Sequence, residues 1–182
     1  MFWTLIKRYW DVSCFKETPD NTPYSLLLLL LVACCFLLLV VMQWMLADVE
    51  GLFTFSTALL AGFTLLLSYG LYTLGLLYVF KVSNRTVQGL TCLLAGHALV
   101  HLFAFPLLLL APLFAVAQMP ALLAFILGVI YLVLTLALTI WQLMVSVHIY
   151  KHALSIAYFP AVLASLGLVA CNILMVSLWM SK

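Results

Sequence analysis

Long apolar runs alternate along this chain with short clusters of charge, and the clusters mark where the runs end. Between Asp20 and Asp48 one run extends from about Tyr24 to Leu46, and between Glu50 and Lys81 a second extends from about Phe53 to Phe80. Arg85 and Lys151 then bracket 65 residues, 86–150, that contain no Asp, Glu, Lys or Arg. A helix that crosses the hydrocarbon core of a bilayer needs about 20 residues, because the core is about 30 Å thick and each residue rises about 1.5 Å. The long stretch exceeds one such helix and suits two, turning near Ala111 to Pro120, where Pro112, Gln118 and Pro120 interrupt it. The run from Ala157 to Trp179 supplies the last. The pattern predicts an all-α, polytopic integral membrane protein with five transmembrane helices over about 24–46, 53–80, 87–111, 120–147 and 157–179. Pro106 and Pro160 fall inside spans, where each is expected to kink its helix.

Residues 1–23 read as a cytoplasmic amphipathic helix and linker ahead of this transmembrane domain, which takes up 24–182. Phe2, Leu5, Ile6, Tyr9 and Val12 follow helical spacing, while Thr4, Lys7, Arg8 and Asp11 take another face. Such a helix lies on the membrane surface, with Trp3 and Trp10 at headgroup level, or packs under the bundle. Thr22 and Pro23 have the character of an N-cap and a first helical residue for the first span.

Composition agrees with the pattern. The 182 residues are 68% hydrophobic and 7% charged, against roughly 45–50% and about 25% for a soluble domain. Twelve Asp, Glu, Lys and Arg residues cannot cover a soluble fold of this size, so lipid must supply the surroundings. A net charge of +2, scattered along the chain, gives no basis for a nucleic-acid partner. With the N-terminus inside, Lys7, Arg8, Lys16, Lys81, Arg85 and Lys151 are cytoplasmic and only Lys182 lies opposite, which fixes the expected orientation. The acidic Asp48-Val49-Glu50 loop contributes little to that rule. Tyr24, Trp44, Phe80, Tyr150 and Trp179 fall near the expected interfaces. Short loops suit a bacterial cytoplasmic (inner) membrane with the C-terminus in the periplasm; a eukaryotic endomembrane is the alternative.

Several motif-like stretches lack the context that their chemistry needs. Cys14, Cys34, Cys35, Cys92 and Cys171 show no CxxC and no zinc-ligand spacing. Leu31-Val32-Ala33-Cys34 has the letters of a lipobox, but the apolar run continues past Cys34, and the same letters recur at Leu168-Val169-Ala170-Cys171. The first run also exceeds the apolar core of a cleaved signal peptide. Asn84-Arg85-Thr86 matches a glycosylation sequon on the cytoplasmic side. Ala161, Ala164, Ser165, Gly167 and Cys171 offer a close-packing surface on the last span.

The histidines carry the remaining chemistry. His97 and His101 sit at i, i+4 in the third span, and His148 and His152 repeat that spacing at the end of the fourth. Counted from Arg85 and Lys151, the two pairs differ in depth by about 13 Å, too far to share a metal ion whose ligands lie about 2 Å away. His148 and His152 read as interfacial residues beside Lys151. His97 and His101 are expected to face the bundle interior, because polar groups exposed to lipid are costly. Counting from the charged ends brings Tyr69, Thr139, Cys34 and Cys35 to the depth of His97, so these residues form a candidate polar cluster, with Tyr69 or Thr139 as the imidazole's partner. No catalytic, cofactor or metal site is expected.

Over its last third the chain resembles the Yip1 family of five-span membrane proteins, in Trp141-Gln142-Leu143-Met144-Val145, His148 to Ala153 and the final apolar span. The cytoplasmic N-terminus, five spans and short far-side tail are similar too. The Asp-Leu-Tyr-Gly-Pro type motif that precedes the first span in eukaryotic members is absent, so the resemblance does not extend to GTPase-linked trafficking. It implies a non-catalytic membrane accessory or scaffold protein whose partners are the lipid bilayer and other membrane proteins or itself. A small transporter or channel subunit using His97 and His101 is the second reading, and a metal- or haem-binding membrane protein the third. Reporter fusions after Lys16, between Lys81 and Arg85, and after Lys151 should report cytoplasm, and fusions near Asp48, Gln118 and Lys182 the opposite side. A cytoplasmic report at Lys182 would refute the five-span topology.

Overall fold

The computed structural model of the chain describes residues 2–47, 54–116 and 120–180. Six α-helices follow one another: α1 (Phe2–Ser13), α2 (Leu26–Ala47), α3 (Phe55–Val79), α4 (Thr86–Val116), α5 (Ala121–Ala153) and α6 (Tyr158–Met180). Short 3-10 turns precede α2 at Pro19–Asn21 and α4 at Ser83–Arg85. No strand occurs among the described residues. The five helices from α2 to α6 are long and apolar enough to cross a membrane. The expected loop at Asp48-Val49-Glu50 and the turn at Gln118 lie outside the described residues.

Helix stops explain the charged end of the bundle. Each of α1, α3 and α5 closes with a residue of positive φ, at Phe15, Lys81 and Ser155. In each case the next amide reaches back to a carbonyl five residues earlier: Lys16 to Asp11, Val82 to Leu77 and Ile156 to Lys151. This Schellman arrangement satisfies carbonyls that the helix leaves open. Arg85 then ties the ends together. Its Nη1 donates to the His152 carbonyl at 2.8 Å and to Ser155 Oγ at 2.9 Å, while Nε lies 3.7 Å from Asp20. The loops on either side of α1's exit, the α3–α4 turn and the α5–α6 turn therefore share one end of the molecule.

Helix α4 is the hub. It packs against α1, α2, α3 and α5, and α6 closes the bundle on α3 and α5. The inward faces of the spans follow helical spacing: Phe36, Val40 and Gln43 on α2, and Ala161, Ser165 and Leu168 on α6, are buried. A methyl group at Gly167 would overlap the Tyr72 hydroxyl, so the small residues of α6 serve packing within the bundle. Between α4 and α5, a Cβ at Gly89 would lie 3.5 Å from Ala153, and one at Gly96 would lie 2.7 Å from Val145. These two contacts set the antiparallel register of the pair.

Helix α1 does not lie flat on a surface below the spans. Val12 and Ser13 are buried against α4 and α5; the Ser13 carbonyl accepts from Trp141 Nε1 at 3.0 Å, and Trp10 stacks edge-on with Trp141. Ser13 faces Gly96, which is eleven residues beyond Arg85, about 16 Å along α4. The helix is wedged into the side of the bundle, because its Tyr9–Val12–Ser13 face fits the small-residue surface of α4.

Local boundaries differ from the sequence expectation in four places. Helix α2 starts at Leu26, capped by Ser25 Oγ accepting from the Leu28 amide, while Thr22 instead donates to the Pro19 carbonyl. Helix α4 runs on through Pro112 to Val116. Helix α5 continues six residues past 147, so His148, Lys151 and His152 are helical. Pro160 lies in the first turn of α6, where no intrahelical N–H bond is lost, and it kinks nothing. Tyr150 is buried, with its hydroxyl 2.9 Å from Thr73, and takes no place in an aromatic belt.

Tyr9 carries the only buried side-chain polar atom without a hydrogen-bond partner among the described residues, and burial pushes its phenol pKa up. An orphaned buried hydroxyl costs roughly 1–3 kcal/mol, so Tyr9→Phe should leave thermal stability in detergent unchanged or raise it. Gly96→Ala should lower stability by about 1–3 kcal/mol, through overlap with Val145. A stability loss in Tyr9→Phe as large as that of Gly96→Ala would contradict this packing.

Candidate functional site

His97, on the buried stretch of α4, is 2% exposed and collects side chains from α3 and α5. Its Nδ1 lies 2.5 Å from Tyr69 Oη and 3.0 Å from Gln142 Nε2. Its Nε2 lies 2.7 Å from Ser146 Oγ, which donates in turn to the Gln142 carbonyl at 3.1 Å. An amide nitrogen can only donate, so Nδ1 accepts from both Gln142 and Tyr69, and Nε2 carries the proton toward Ser146. That tautomer follows from the network. The ring is neutral and every nitrogen is used.

One turn further along α4, His101 joins α2. Gln43 Oε1 accepts from His101 Nδ1 at 2.7 Å, and Gln43 Nε2 donates to the His101 carbonyl at 2.6 Å. Phe36 fills the space between the two histidine sites, edge-on to Tyr69 at 5.4 Å and to His101 at 5.7 Å between ring centroids. Two further bonds tie α3 to α6: Ser68 donates to Asn172 Oδ1 at 2.9 Å, and Tyr72 donates to the Ala164 carbonyl at 2.8 Å. Through these contacts a polar layer links all five long helices.

The donor Nδ1–H on His101 leaves its Nε2 as a free-electron-pair acceptor. His101 is half-buried and borders a cleft of about 130 Å³ between α4 and α5, also lined by Tyr131, Thr135, Thr139 and Gln142. Gln142 thus touches both the cleft and the sealed His97 site.

Among the residues expected around His97, the structure brings Tyr69 to it and leaves the others away. Thr139 is exposed and donates to the Thr135 carbonyl of its own helix at 2.9 Å. Cys34 and Cys35 are exposed on the outer face of α2, because the inward face of that helix is Phe36, Val40 and Gln43. Nor are the histidine pairs separated as counting implied: His97 bonds Ser146, only two residues before His148. Lys151 does not mark the edge of α5, and the Gly89–Ala153 register displaces the count by about six residues. His148 Nε2 meets the Glu17 carbonyl at 2.8 Å, and its ring lies 4.8 Å from that of His152. No group of three or more His, Cys, Asp or Glu residues with metal-binding arrangement occurs among the described residues.

Gln43, Gln142, Ser146 and Asn172 are not among the residues expected around the histidines, because they carry neither charge nor an imidazole. Uncharged amides inside apolar runs carry the same signal, since each needs a protein partner where water is excluded.

The chain matches no protein-family model, no curated protein and no solved structure. Its class therefore rests on its own features: an all-helical bundle with five helices of membrane-crossing length and apolarity around a polar layer.

Replacing His97 with Leu removes the imidazole acceptor of the Tyr69 hydroxyl and one partner of Ser146, and should cost roughly 1–3 kcal/mol. His97→Gln keeps a donor and an acceptor and should stay within about 1 kcal/mol of the parent. Thermal unfolding in detergent distinguishes the two. Equal loss in both variants would show that the imidazole's shape, and not its hydrogen bonding, holds the layer together.

Proposed function

We propose that the chain is a non-catalytic integral membrane accessory or scaffold protein that acts through helix–helix contacts with membrane partners, other proteins or a second copy of itself. The observation that supports this best is the state of α5. In the most apolar window of that helix no residue is buried, against 22% to 39% of the corresponding windows in the other four spans. Leu122, Phe125, Ile126, Val129, Ile130, Leu132 and Val133 are all exposed. Ala124 and Gly128 form a small-xxx-small pair, and nothing lies within 4 Å of a Cβ at Gly128; such notches let another helix approach closely in lipid. The sealed His97 site supports the same reading, since both its nitrogens already have partners. The Lys and Arg distribution favours the N-terminus inside and the C-terminus on the far side, and the short loops favour a bacterial cytoplasmic membrane, with a eukaryotic endomembrane as the alternative. The resemblance to Yip1-like proteins fits this role.

The His101 cleft favours a second reading, a small transporter or channel subunit that uses His101 and, through Gln142, His97. The two readings part experimentally. A photo-crosslinking residue at Phe125 or Ile130 should give a discrete adduct in native membranes that Gly128→Leu abolishes, while the same residue at Leu38 of α2, also exposed, gives none. Under the scaffold reading His101→Gln leaves that adduct and the deletion phenotype intact. Lipid adducts alone from every position, with loss of phenotype in His101→Gln, would overturn the proposal in favour of transport.

A further inference from the structure

Two cavities meet at Arg8, and they differ in character. On one side, between α1 and the start of α2, runs an open groove of about 540 Å³, lined by Leu5, Leu27, Leu28 and Leu31 together with Thr4, Pro23 and Ser25. On the other side lies a chamber of about 310 Å³, lined by Arg8, Asp11, Glu17, Thr18 and Asn21. Arg8 belongs to both. Its Nη1 donates to the Asn21 carbonyl at 3.0 Å, which orients the guanidinium and leaves other N–H donors of the fork free. Glu17 accepts from Asn21 Nδ2 at 2.7 Å through one carboxylate oxygen. Neither Asp11 nor Glu17 makes a salt bridge among the described residues.

The order along this path is apolar wall, one cation, two carboxylates. We propose that the paired cavities bind one phosphatidylethanolamine molecule, with an acyl chain along the leucine groove, the phosphodiester on Arg8 and the ammonium between Asp11 and Glu17. Each part of the assignment has its own reason. The groove opens beside the exposed leucines of α2, where acyl chains would lie if that helix crosses a bilayer. A guanidinium pairs with phosphate through parallel N–H bonds. The glycerol headgroup of phosphatidylglycerol carries no cation to offset the two carboxylates, which disfavours that lipid. A primary ammonium offers three N–H donors to them, whereas the quaternary ammonium of phosphatidylcholine offers none.

The test uses the full chain, exchanged into nanodiscs of equal parts phosphatidylethanolamine, phosphatidylglycerol and phosphatidylcholine, then re-extracted mildly for quantification of retained lipid by mass spectrometry. The parent should retain about one phosphatidylethanolamine per chain, enriched roughly fivefold over each of the other two lipids, a difference of about 1 kcal/mol. Arg8→Gln should return the retained lipid to bulk proportions. Asp11→Asn combined with Glu17→Gln should still retain phospholipid but no longer distinguish phosphatidylethanolamine from phosphatidylcholine. Leu27 is 79% exposed, so Leu27→Trp fills the groove without disturbing the core; it should lower retention of all three lipids even if Arg8→Gln fails to fold. Retention in bulk proportions by the parent, enrichment of phosphatidylglycerol instead, or unchanged lipid retention in Leu27→Trp would each overturn the proposal.

Discussion

Where water is excluded, a polar side chain finds its partner in the protein or not at all, and the bundle is organised around that requirement at His97. The imidazole accepts from α3 and α5 on one nitrogen and donates to α5 from the other. Removing water makes such bonds strong, but it also makes a missing partner expensive. The arrangement therefore fixes rotation as well as depth. A small turn of α3 about its axis would strand both Tyr69 and His97, while an apolar interface would tolerate it. His101 and Gln43 impose the same condition on α2, and Ser68 and Asn172 on α6. Among leucine-rich helices with little directional preference of their own, these few bonds define which faces meet.

Most of the helical layout is legible in the sequence because charge is so scarce that its positions delimit the apolar runs. The level of Tyr69 with His97 is legible as well. Both lie twelve residues from a cation at the α3–α4 turn, Lys81 and Arg85, and that turn is tight, so the two counts start from nearly the same height. The same counting fails for Thr139. Lys151 sits inside α5 rather than at its edge, and the contacts at Gly89 and Gly96 offset the two helices; Ser146 takes the place that counting gave to Thr139. Cys34 and Cys35 fail for a different reason. Depth says nothing about direction around the axis, and on α2 Gln43 alone marks the inward stripe of Phe36, Val40 and Gln43, which Cys34 and Cys35 do not share.

The docking of α1 is legible only in part. Its two faces are plain in the spacing of Phe2, Leu5, Ile6, Tyr9 and Val12, but an amphipathic pattern does not distinguish lipid from protein as the apolar neighbour. Gly96 decides the matter, since a residue without a side chain on α4 makes room for Ser13. Trp141 then holds the Ser13 carbonyl where the helix ends, and the linker descends along α5 past His148 to Asp20 and Arg85. A segment that hydropathy sets apart from the bundle thus becomes one of its walls.

The unequal lengths of the helices have a mechanical consequence. With 22 residues, α2 is about 33 Å long, whereas the 33 residues of α5 extend about 50 Å. A bilayer with a hydrocarbon thickness of about 30 Å matches the first nearly upright and falls well short of the second. In such a bilayer the α4–α5 pair would lean across the other helices, extend its ends beyond the hydrocarbon or draw the surrounding lipid into a thicker collar, the last at a cost that grows with each ångström of mismatch. Thicker membranes relieve that cost and thinner ones raise it, so the same chain would be partitioned between membranes by their thickness alone.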